Sequence, residues 1–264
     1  MHIDFSGKTA LVTGSTKGIG YASARALAQA GATVIVNGRS AESTQAAADR
    51  LAGEVSGAKV RAAAADLGTK AGCDKIITAH PAVDILVNNM GIFTFEDFFE
   101  TSDERWQEYF DINVMSGLRL TRHYLKPMMK AGWGRVVMVA SQGGVQLEDE
   151  LIPYGVSKAA QIALARGAAQ AARRSGVTVN SILPGPTFSE GIKEALVKIP
   201  EFADIAPEVA ADTLMREWRT DSLRGEIGQP EEVASLIAYL CSPQAANITG
   251  AALRVDGGIT GTVV

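Results

Sequence analysis

The chain has 264 residues, of which 47% are hydrophobic and 20% are charged, and its formal net charge is −4. This balance is typical of a soluble globular protein, and an acidic chain without a basic run speaks against nucleic acid or an anionic membrane as a partner. No apolar run approaches the roughly 20 residues that span a bilayer, and the first residues do not resemble a signal peptide. We therefore expect a cytoplasmic protein.

Short runs rich in β-branched residues alternate with longer Ala-rich stretches along the chain. The stretches predict helices at Ile19–Ala30, Ala41–Ala52, Asp103–Lys130 and Pro153–Arg174. Such alternation is typical of right-handed βαβ units. The runs predict strands at Thr9–Thr13, Thr33–Asn37, Val83–Asn88, Arg135–Ala140 and Thr178–Leu183, with weaker candidates at Lys59–Ala63 and Ala251–Val255.

This order of elements predicts an α/β fold: a Rossmann-type doubly wound parallel sheet of about seven strands, covered by helices on both sides as a three-layer sandwich. No linker or repeat divides the chain, so we expect one domain over residues 1–264. An insertion at about 188–225 holds large apolar side chains among charged ones and has no strand signal. Because ligands bind at the carboxyl ends of such strands, we expect the insertion to form a lid, with a helical packing pair or an oligomer contact as the alternative.

A glycine-rich turn, Gly14-Ser15-Thr16-Lys17-Gly18-Ile19-Gly20, follows the first predicted strand. Glycines let the backbone turn tightly and approach a pyrophosphate, and the following helix presents free N–H groups and a positive dipole end. With a strand before it and a helix after it, the turn indicates a dinucleotide site rather than a glycine turn without a ligand.

The end of the second predicted strand indicates which dinucleotide binds. No Asp or Glu occurs from position 34 to 41, where an NAD site usually places an acid for the ribose hydroxyls. Arg39, with Ser40 beside it, and Lys17 offer charge and hydrogen bonds suited to a 2′-phosphate. The sequence therefore predicts NADP(H) in preference to NAD(H). A solvated arginine at the start of a helix is the alternative for Arg39.

Tyr154 and Lys158 stand four residues apart, which places both on one face of a helix. A free tyrosine has a pKa of about 10, and a nearby ammonium lowers it towards the range useful for proton exchange. Ser141 follows the strand predicted at Arg135–Ala140, and Asn113 lies inside a predicted helix, where Asn is a poor helix former. These residues predict a proton-transfer site, although an exposed structural Asn113 is an alternative.

Other reactive side chains do not form a pattern. Cys73 and Cys241 are not in CxxC spacing, and we expect them to be buried or half-buried free thiols. The histidines His2, His80 and His123 lie far apart and do not have metal-ligand spacing. We therefore predict no metal site.

A series of motifs in this order resembles the short-chain dehydrogenase/reductase family, including its 3-oxoacyl-carrier-protein reductases, from about Lys8 to Gly258. The resemblance implies hydride transfer between NADP(H) and a carbonyl compound or secondary alcohol. The motifs are TGxxxGIG at Thr13–Gly20, Asp66-Leu67, NNxG at Asn88–Gly91, Asn113, Ser141, YxxxK at Tyr154–Lys158, and Pro184-Gly185.

The resemblance also implies a role for each catalytic residue. Tyr154 would be the general acid in reduction and the general base in oxidation. Lys158 would bind the nicotinamide ribose and lower the pKa of Tyr154. Ser141 would hold the substrate oxygen, and Asn113 would hold a water that links Lys158 to solvent.

Further residues would hold the cofactor according to the same resemblance. Asp66 would bind the adenine amino group with Leu67 packed nearby, and Asn88 and Gly91 would lie along the ribose. Met90 stands where the family usually has alanine, so packing there is expected to differ.

The Pro184-Gly185 turn lies on the nicotinamide side in this family. Thr187 would contact the carboxamide through its backbone, and Ser189, at the position of the family's usual threonine, is its rival.

The motifs do not select the substrate, and two alternative functions remain. One is an NAD-dependent alcohol dehydrogenase of the same family, and the other is an NADP-binding sensor or scaffold without catalysis. The family resemblance implies a homotetramer or homodimer, in which the Ala-rich face of the helix Pro153–Arg174 permits close helix approach, and packing of that face on its own sheet is the alternative. Glu148-Asp149-Glu150 either borders the substrate mouth or forms a solvated loop.

Overall fold

The computed structural model describes residues 2–263 of the chain, and its centre is one parallel sheet. The spatial order runs from the third strand inward to the first and then outward from the fourth to the seventh. All neighbouring strands are parallel. The strands are β1 Thr9–Val12, β2 Thr33–Gly38, β3 Lys59–Ala64, β4 Ile85–Asn88, β5 Gly134–Val139, β6 Val177–Pro184 and β7 Ala252–Val255.

Helices cover both faces of this sheet, which confirms the predicted three-layer Rossmann-type fold. One hydrophobic core joins the sheet to the first, second and ninth helices, and another joins it to the third, fifth and sixth. The helices are α1 Gly18–Gln29, α2 Ala41–Glu54, α3 Lys70–Ala79, α4 Asp103–Tyr109, α5 Ser116–Ala131, α6 Ile152–Ala171, α7 Glu190–Leu196, α8 Pro207–Thr213 and α9 Pro230–Cys241.

The burial of the strands explains which of them the sequence predicts well. Strands β4, β5 and β6 are buried along their whole length, and most of their residues are apolar. Strands β3 and β7 form the two edges of the sheet and are partly exposed. An edge strand needs fewer apolar residues, which is why the sequence signals at Lys59–Ala63 and Ala251–Val255 are weak.

The helix predicted over Asp103–Lys130 is present and runs without a break to Ala131, but it contains a π-helical turn that the sequence does not predict. The α4 helix ends at Tyr109, a π-helical turn spans Phe110–Met115, and α5 continues from Ser116. A π turn inserts one extra residue into the helical repeat, and such turns are frequent at functional sites. Asn113 lies inside this turn and is fully buried, so the alternative of an exposed structural asparagine is wrong.

Helices α3 and α9 are absent from our sequence prediction. A signal for α9 exists, because Gln229 and Glu232 form a reciprocal capping box around its first turn and Pro230 occupies the first helical position. Helix α6 ends at Ala171, three residues before the predicted end at Arg174. Arg174 has a positive φ of 59°, which is not helical.

The insertion predicted at 188–225 is helical and packs largely on itself. It contains α7, α8 and a π turn at Leu214–Trp218, and these enclose a small separate hydrophobic cluster. Cys73 and Cys241 are buried free thiols, as the sequence predicts. None of the helices within residues 2–263 has the length and apolar character needed to cross a membrane.

Two glycines at the amino end of β5 and β6 allow a stability test of the fold. Gly132 and Gly176 both have positive φ, but a Cβ on Gly132 meets nothing within 4 Å, whereas one on Gly176 would lie 2.2 Å from the carbonyl oxygen of Gly132. We expect Gly132→Ala to lower the free energy of unfolding by roughly 1–2 kcal/mol through backbone strain alone. Gly176→Ala should lower it by clearly more in urea unfolding, and equal losses would contradict the steric argument.

Candidate active site

The turn between β1 and α1 requires glycine at three positions. Gly14 and Gly18 have φ of 58° and 59°, in the left-handed region that favours glycine. A Cβ on Gly20 would lie 2.3 Å from the carbonyl oxygen of Gly14, so only glycine lets α1 begin this close to the turn. No side chain caps the N-terminus of α1, so its first N–H groups are available to a bound anion.

Hydrogen bonds to β1 and β2 hold this turn in place. The N–H of Ser15 donates to the carbonyl of Asn37 at 2.8 Å, and the Ser15 hydroxyl donates to the carbonyl of Val12 at 2.7 Å. Thr16 packs against Gly38, where a Cβ would lie 2.5 Å from the Thr16 methyl group. The Ser15 side chain therefore supports the turn, and the end of β2 abuts it.

The three predicted phosphate-binding side chains near β2 have different surroundings. Lys17 is exposed and forms an ion pair with Glu194 on α7. Ser40 caps α2 by accepting from the N–H of Ser43 at 3.1 Å. Arg39 is exposed and makes no hydrogen bond or ion pair within residues 2–263. Arg39 is therefore an unpaired cation near the glycine turn among residues 2–263, whereas Lys17 already has an anionic partner.

Asp66 and Leu67, at the end of β3, have opposite environments. Asp66 is exposed, and its Oδ1 accepts from the N–H of Gly68 at 3.0 Å. Leu67 is fully buried in the hydrophobic core beside Cys73. The carboxylate is thus accessible to a ligand, but the side chain of Leu67 lies in the core and not on the surface next to Asp66.

The two asparagines after β4 point in different directions. The Nδ2 of Asn88 donates to Thr121 Oγ1 on α5 at 3.0 Å, and its side chain is buried. The Nδ2 of Asn89 donates to the carbonyls of Thr13 and Gly14, both at 2.9 Å, and Asn89 lines the cavity described below. Because successive strand residues face opposite sides, the structure brings Asn89 to the site and turns the Asn88 side chain, which the sequence analysis chose, away from it.

Ser141, Tyr154 and Lys158 meet at the carboxyl end of β5. Ser141 is a hydrogen-bonding neighbour of the Tyr154 phenol, and the Nζ of Lys158 lies 5.4 Å from the Tyr154 ring centre. Lys158 is only 4% exposed. Its Nζ donates to the carbonyl of Val139 at 2.9 Å and to Oε1 of Gln161 at 3.0 Å. The structure therefore confirms that the YxxxK spacing puts both side chains on one face of α6.

Burial dominates the proton affinities of this pair. It raises the pKa of Tyr154 to about 12, while the hydrogen bond from Ser141 lowers that pKa in part and Glu148 raises it. Burial also lowers the pKa of Lys158 to about 7, because an ammonium loses its hydration there. In the chain by itself the Tyr154 pKa is therefore raised, not lowered as the sequence analysis expected from the neighbouring lysine.

Asn113 joins three segments around Lys158. Its Oδ1 accepts from the N–H of Ile92 at 2.8 Å, and its Nδ2 donates to the carbonyl of Ile92 at 3.0 Å and to Ser157 Oγ at 2.9 Å. Its own carbonyl accepts from Nε2 of Gln161 at 2.6 Å. Gln161 is not among the predicted site residues, although it lies three residues after Lys158 and therefore on the same helical face.

A cavity of about 630 Å³ joins the glycine turn to these residues. Its lining combines aromatic and aliphatic side chains with polar and charged ones. Its lining includes Ile19, Asn89, Gly91, Phe93, Phe95, Ser141, Gln142, Leu147, Glu148, Asp149, Glu150, Tyr154, Lys158, Pro184, Gly185, Thr187, Ser189, Ile192, Leu214, Trp218, Arg219 and Asp221.

The 188–225 segment lines part of this cavity and forms an ion pair with another part of its wall. Arg219, whose side chain is 11% exposed, donates from Nη1 to Glu148 Oε1 at 2.7 Å. The same Glu148 oxygen accepts from Nε2 of Gln142 at 2.6 Å, and Gln142 directly follows Ser141. Glu148 thus belongs to the cavity wall, and residues of the segment line the same cavity, while the action of the segment as a lid stays a prediction.

Both candidates for the carboxamide contact line the cavity, and both hydroxyls have partners. Thr187 Oγ1 donates to the carbonyl of Gly185 at 2.9 Å, and Ser189 Oγ accepts from the N–H of Ile192 at 3.4 Å as the cap of α7. Pro184 ends β6 just before them. The geometry therefore does not separate the two residues, and the choice of Thr187 stays a prediction.

The parallel doubly wound sheet and the turn between β1 and α1 define a dinucleotide-binding fold of the Rossmann type. A family model described as enoyl-(acyl carrier protein) reductase matches residues 14–260. The oxidoreductase YvaG of Bacillus subtilis is 41% identical over 263 residues, with 100% of both chains covered. A 3-oxoacyl-(acyl-carrier-protein) reductase of Aquifex aeolicus is 33% identical, covering 98% of this chain and 100% of the relative.

A solved structure of an oxidoreductase is also similar to the chain over its whole length. L-sorbose reductase from Gluconobacter frateurii, complexed with NADPH and L-sorbose, matches with a TM-score of 0.92 at 30% identity, and 100% of both chains is covered. The chain therefore belongs to the short-chain dehydrogenase/reductase family and is an oxidoreductase of that family.

The buried lysine predicts a pH dependence of stability. With a folded pKa near 7 and an ordinary value of 10.5, Lys158 is neutral in the folded chain but protonated in the unfolded chain between these two pH values. The unfolded state binds the extra proton, so this lysine makes the free energy of unfolding rise with pH, by up to about 1.4 kcal/mol per pH unit.

We expect urea unfolding at pH 7, 8 and 9 to show this rise relative to Lys158→Met, which keeps an apolar stem of similar length. Other groups that titrate in this range cancel in the comparison. A difference in unfolding free energy that stays constant with pH would contradict a depressed lysine pKa.

Proposed function

We propose that the protein transfers a hydride between NADP(H) and a ketone or secondary alcohol, with Tyr154 as general acid in reduction and general base in oxidation. The observation that carries this proposal is the meeting of Ser141, Tyr154 and Lys158 in one cavity that extends to the glycine turn. Membership of the family and the NADPH complex of L-sorbose reductase support the choice of reaction and cofactor.

The chain offers a fitting site for NADP(H). The uncapped N-terminus of α1 suits the pyrophosphate, and the free guanidinium of Arg39 suits a 2′-phosphate. A Cβ on Gly91 would lie 3.2 Å from the Nζ of Lys158, so this glycine keeps the lysine accessible from the cavity. The accessible carboxylate of Asp66 suits an adenine amino group. NADPH, when bound, supplies the hydride.

The residues of the site provide the proton and its control. In reduction Tyr154 donates its phenolic proton to the substrate oxygen while the adjacent carbon accepts the hydride, and Ser141 donates a second hydrogen bond to that oxygen. A pKa of Tyr154 raised to about 12 keeps the phenol protonated at neutral pH, which is the form that reduction needs. Lys158, with its pKa lowered to about 7, exchanges protons near neutral pH and so replenishes the tyrosine through the cavity.

Charge and shape at the cavity mouth bear on the substrate. Glu148, Asp149 and Glu150 line one side, and Arg219 neutralises the first of them. Exposed apolar side chains, including Phe95 and Leu147, line the rest. These features favour an uncharged carbonyl compound over an anionic one, so ketoses, neutral ketones and a 3-oxoacyl thioester make the first substrate panel.

We further propose that the protein acts in the cytoplasm as a homotetramer or homodimer. The support is the exposed stripe of small residues on α6, including Ala163, Gly167 and Ala171, which permits close approach of a second copy.

Replacing Tyr154 with Phe tests the general acid. The ring remains but the transferable proton is lost, so we expect kcat for ketone reduction to fall by roughly 10²–10⁴-fold. Binding of NADPH, followed by its fluorescence, should change little. Tyr239→Phe on α9 is the matched control, and we expect it to leave kcat unchanged. Full activity of Tyr154→Phe on a substrate that the wild type reduces would overturn the assignment.

Replacing Arg39 with Asp tests the cofactor choice. The change removes the cation for the 2′-phosphate and adds an acid suited to ribose hydroxyls, so the ratio of NADPH to NADH affinity should fall by roughly 10–100-fold. Arg122→Asp, an exposed arginine on α5, makes the same charge change away from the site. Equal ratios in the Arg39 and Arg122 variants would show that Arg39 does not select the cofactor.

A further inference from the structure

A buried glutamine stands between the two groups whose link the family resemblance assigns to a water. Gln161 on α6 is 1% exposed. Its Nε2 donates to the carbonyl of Asn113 at 2.6 Å, and its Oε1 accepts from the Nζ of Lys158 at 3.0 Å. The side chain therefore spans from the π turn that contains Asn113 to the ammonium of Lys158.

The chemistry of the two partners fixes the orientation of the amide. A lysine ammonium only donates hydrogen bonds, and a main-chain carbonyl only accepts them. Rotating the amide by 180° would set the NH₂ group of Gln161 against Lys158 and its oxygen against the carbonyl of Asn113, which are two repulsive contacts. Gln161 is consequently held in one orientation, with its acceptor always facing the lysine.

The remaining contacts of Lys158 show what this orientation achieves. The ammonium form of Lys158 has three N–H donors, of which two are directed to Val139 and Gln161, and its Nζ also borders the cavity beside Gly91. Two fixed acceptors thus determine where the third donor points. The π turn contributes because Asn113 is itself held by Ile92 and Ser157, so the glutamine is anchored on a rigid base.

We propose that Gln161 is a positioning residue that holds the Lys158 ammonium against the cavity for the reaction proposed above, on which this inference rests. The Gln161 carboxamide donates to the carbonyl of Asn113 and so takes the place of a water at that carbonyl. An amide neither takes up nor releases a proton at neutral pH, so Lys158 exchanges its proton on the cavity side. Among the titratable groups of the packed elements, Tyr154 faces Lys158, and Glu148 and Tyr109 in turn act on Tyr154.

Two variants of similar size separate positioning from packing. Gln161→Met keeps the length of the side chain but offers neither donor nor acceptor. Gln161→Glu keeps the acceptor for Lys158, adds a negative charge, and loses the donor to Asn113. Gln170→Met makes the first change at an exposed position near the end of the same helix and serves as the control.

The primary measurement is the titration of Lys158 in the protein without cofactor, followed by NMR of its ε-carbon and assigned with Lys158→Met. We expect the midpoint to fall by about one pH unit in Gln161→Met, because the charged form loses an acceptor, and to rise by at least as much in Gln161→Glu. Gln170→Met should titrate like the wild type.

The second measurement is steady-state turnover across pH. We expect kcat of Gln161→Met to fall roughly ten-fold, because a displaced ammonium is no longer oriented towards the reacting groups. The pH dependence of kcat should shift in the same direction as the Lys158 midpoint. A purely structural role would lower the melting temperature but leave both the midpoint and the pH profile unchanged.

The outcomes distinguish this inference from the proposed function. Unchanged titration of Lys158 in Gln161→Met overturns the positioning role, and if that variant does not fold, unchanged titration in Gln161→Glu overturns it. A wild type that reduces no carbonyl compound with either cofactor contradicts the proposed function, while the titration in the unloaded protein still decides the role of Gln161.

Discussion

Seven parallel strands impose one geometric constraint on everything else in this protein. All strands run in the same direction, so every connection returns over one face of the sheet. All carboxyl ends therefore lie along one edge, which runs across the strands from β3 to β7. The glycine turn, Arg39, Asp66, Asn89, and Ser141 each follow a different strand, and this constraint brings them to a common edge although they are distant in the sequence. Helix α6 then returns from that edge with Tyr154 and Lys158 on its first turns.

Burying an ammonium at that edge has consequences for the residues around it. Lys158 is removed from water, which destabilises its charged form, and the carbonyl of Val139 and the amide of Gln161 offset part of this cost. The second partner needs its own anchor, which is Asn113 in the π turn. The irregular helix, the buried asparagine and the buried glutamine are thus parts of one hydrogen-bonded arrangement, and each would be unfavourable without the others.

Local sequence signals predicted the parts of the fold that depend on local physics. The buried interior strands β4, β5 and β6 are mostly apolar and therefore easy to predict, and the spacing of Gly14, Gly18 and Gly20 marks a tight turn. The YxxxK spacing likewise determines that Tyr154 and Lys158 share a helical face.

Features that depend on three-dimensional partners escaped the same analysis. The π turn changes the hydrogen-bonding pattern inside a helix that runs from Asp103 to Ala131, and contacts of Asn113 with Ile92 and Ser157 stabilise it. Asn88 and Asn89 are identical in type, so only the direction of the strand end decides which faces the cavity. The raised pKa of Tyr154 reflects burial, a property of the whole fold, rather than the charge of a neighbour four residues away.

The segment that borders the cavity mouth is built differently from the sheet beneath it. Leu196, Phe202, Ala210 and Leu214 pack with one another in a cluster separate from the two main cores. The apolar contacts within that cluster are thus separate from those that hold the strands, and the link to the site runs through the ion pair of Arg219 with Glu148. Different contacts therefore hold the two parts of the cavity wall: Leu214 belongs to the small cluster, whereas α6, which carries Tyr154 and Lys158, packs in a main core.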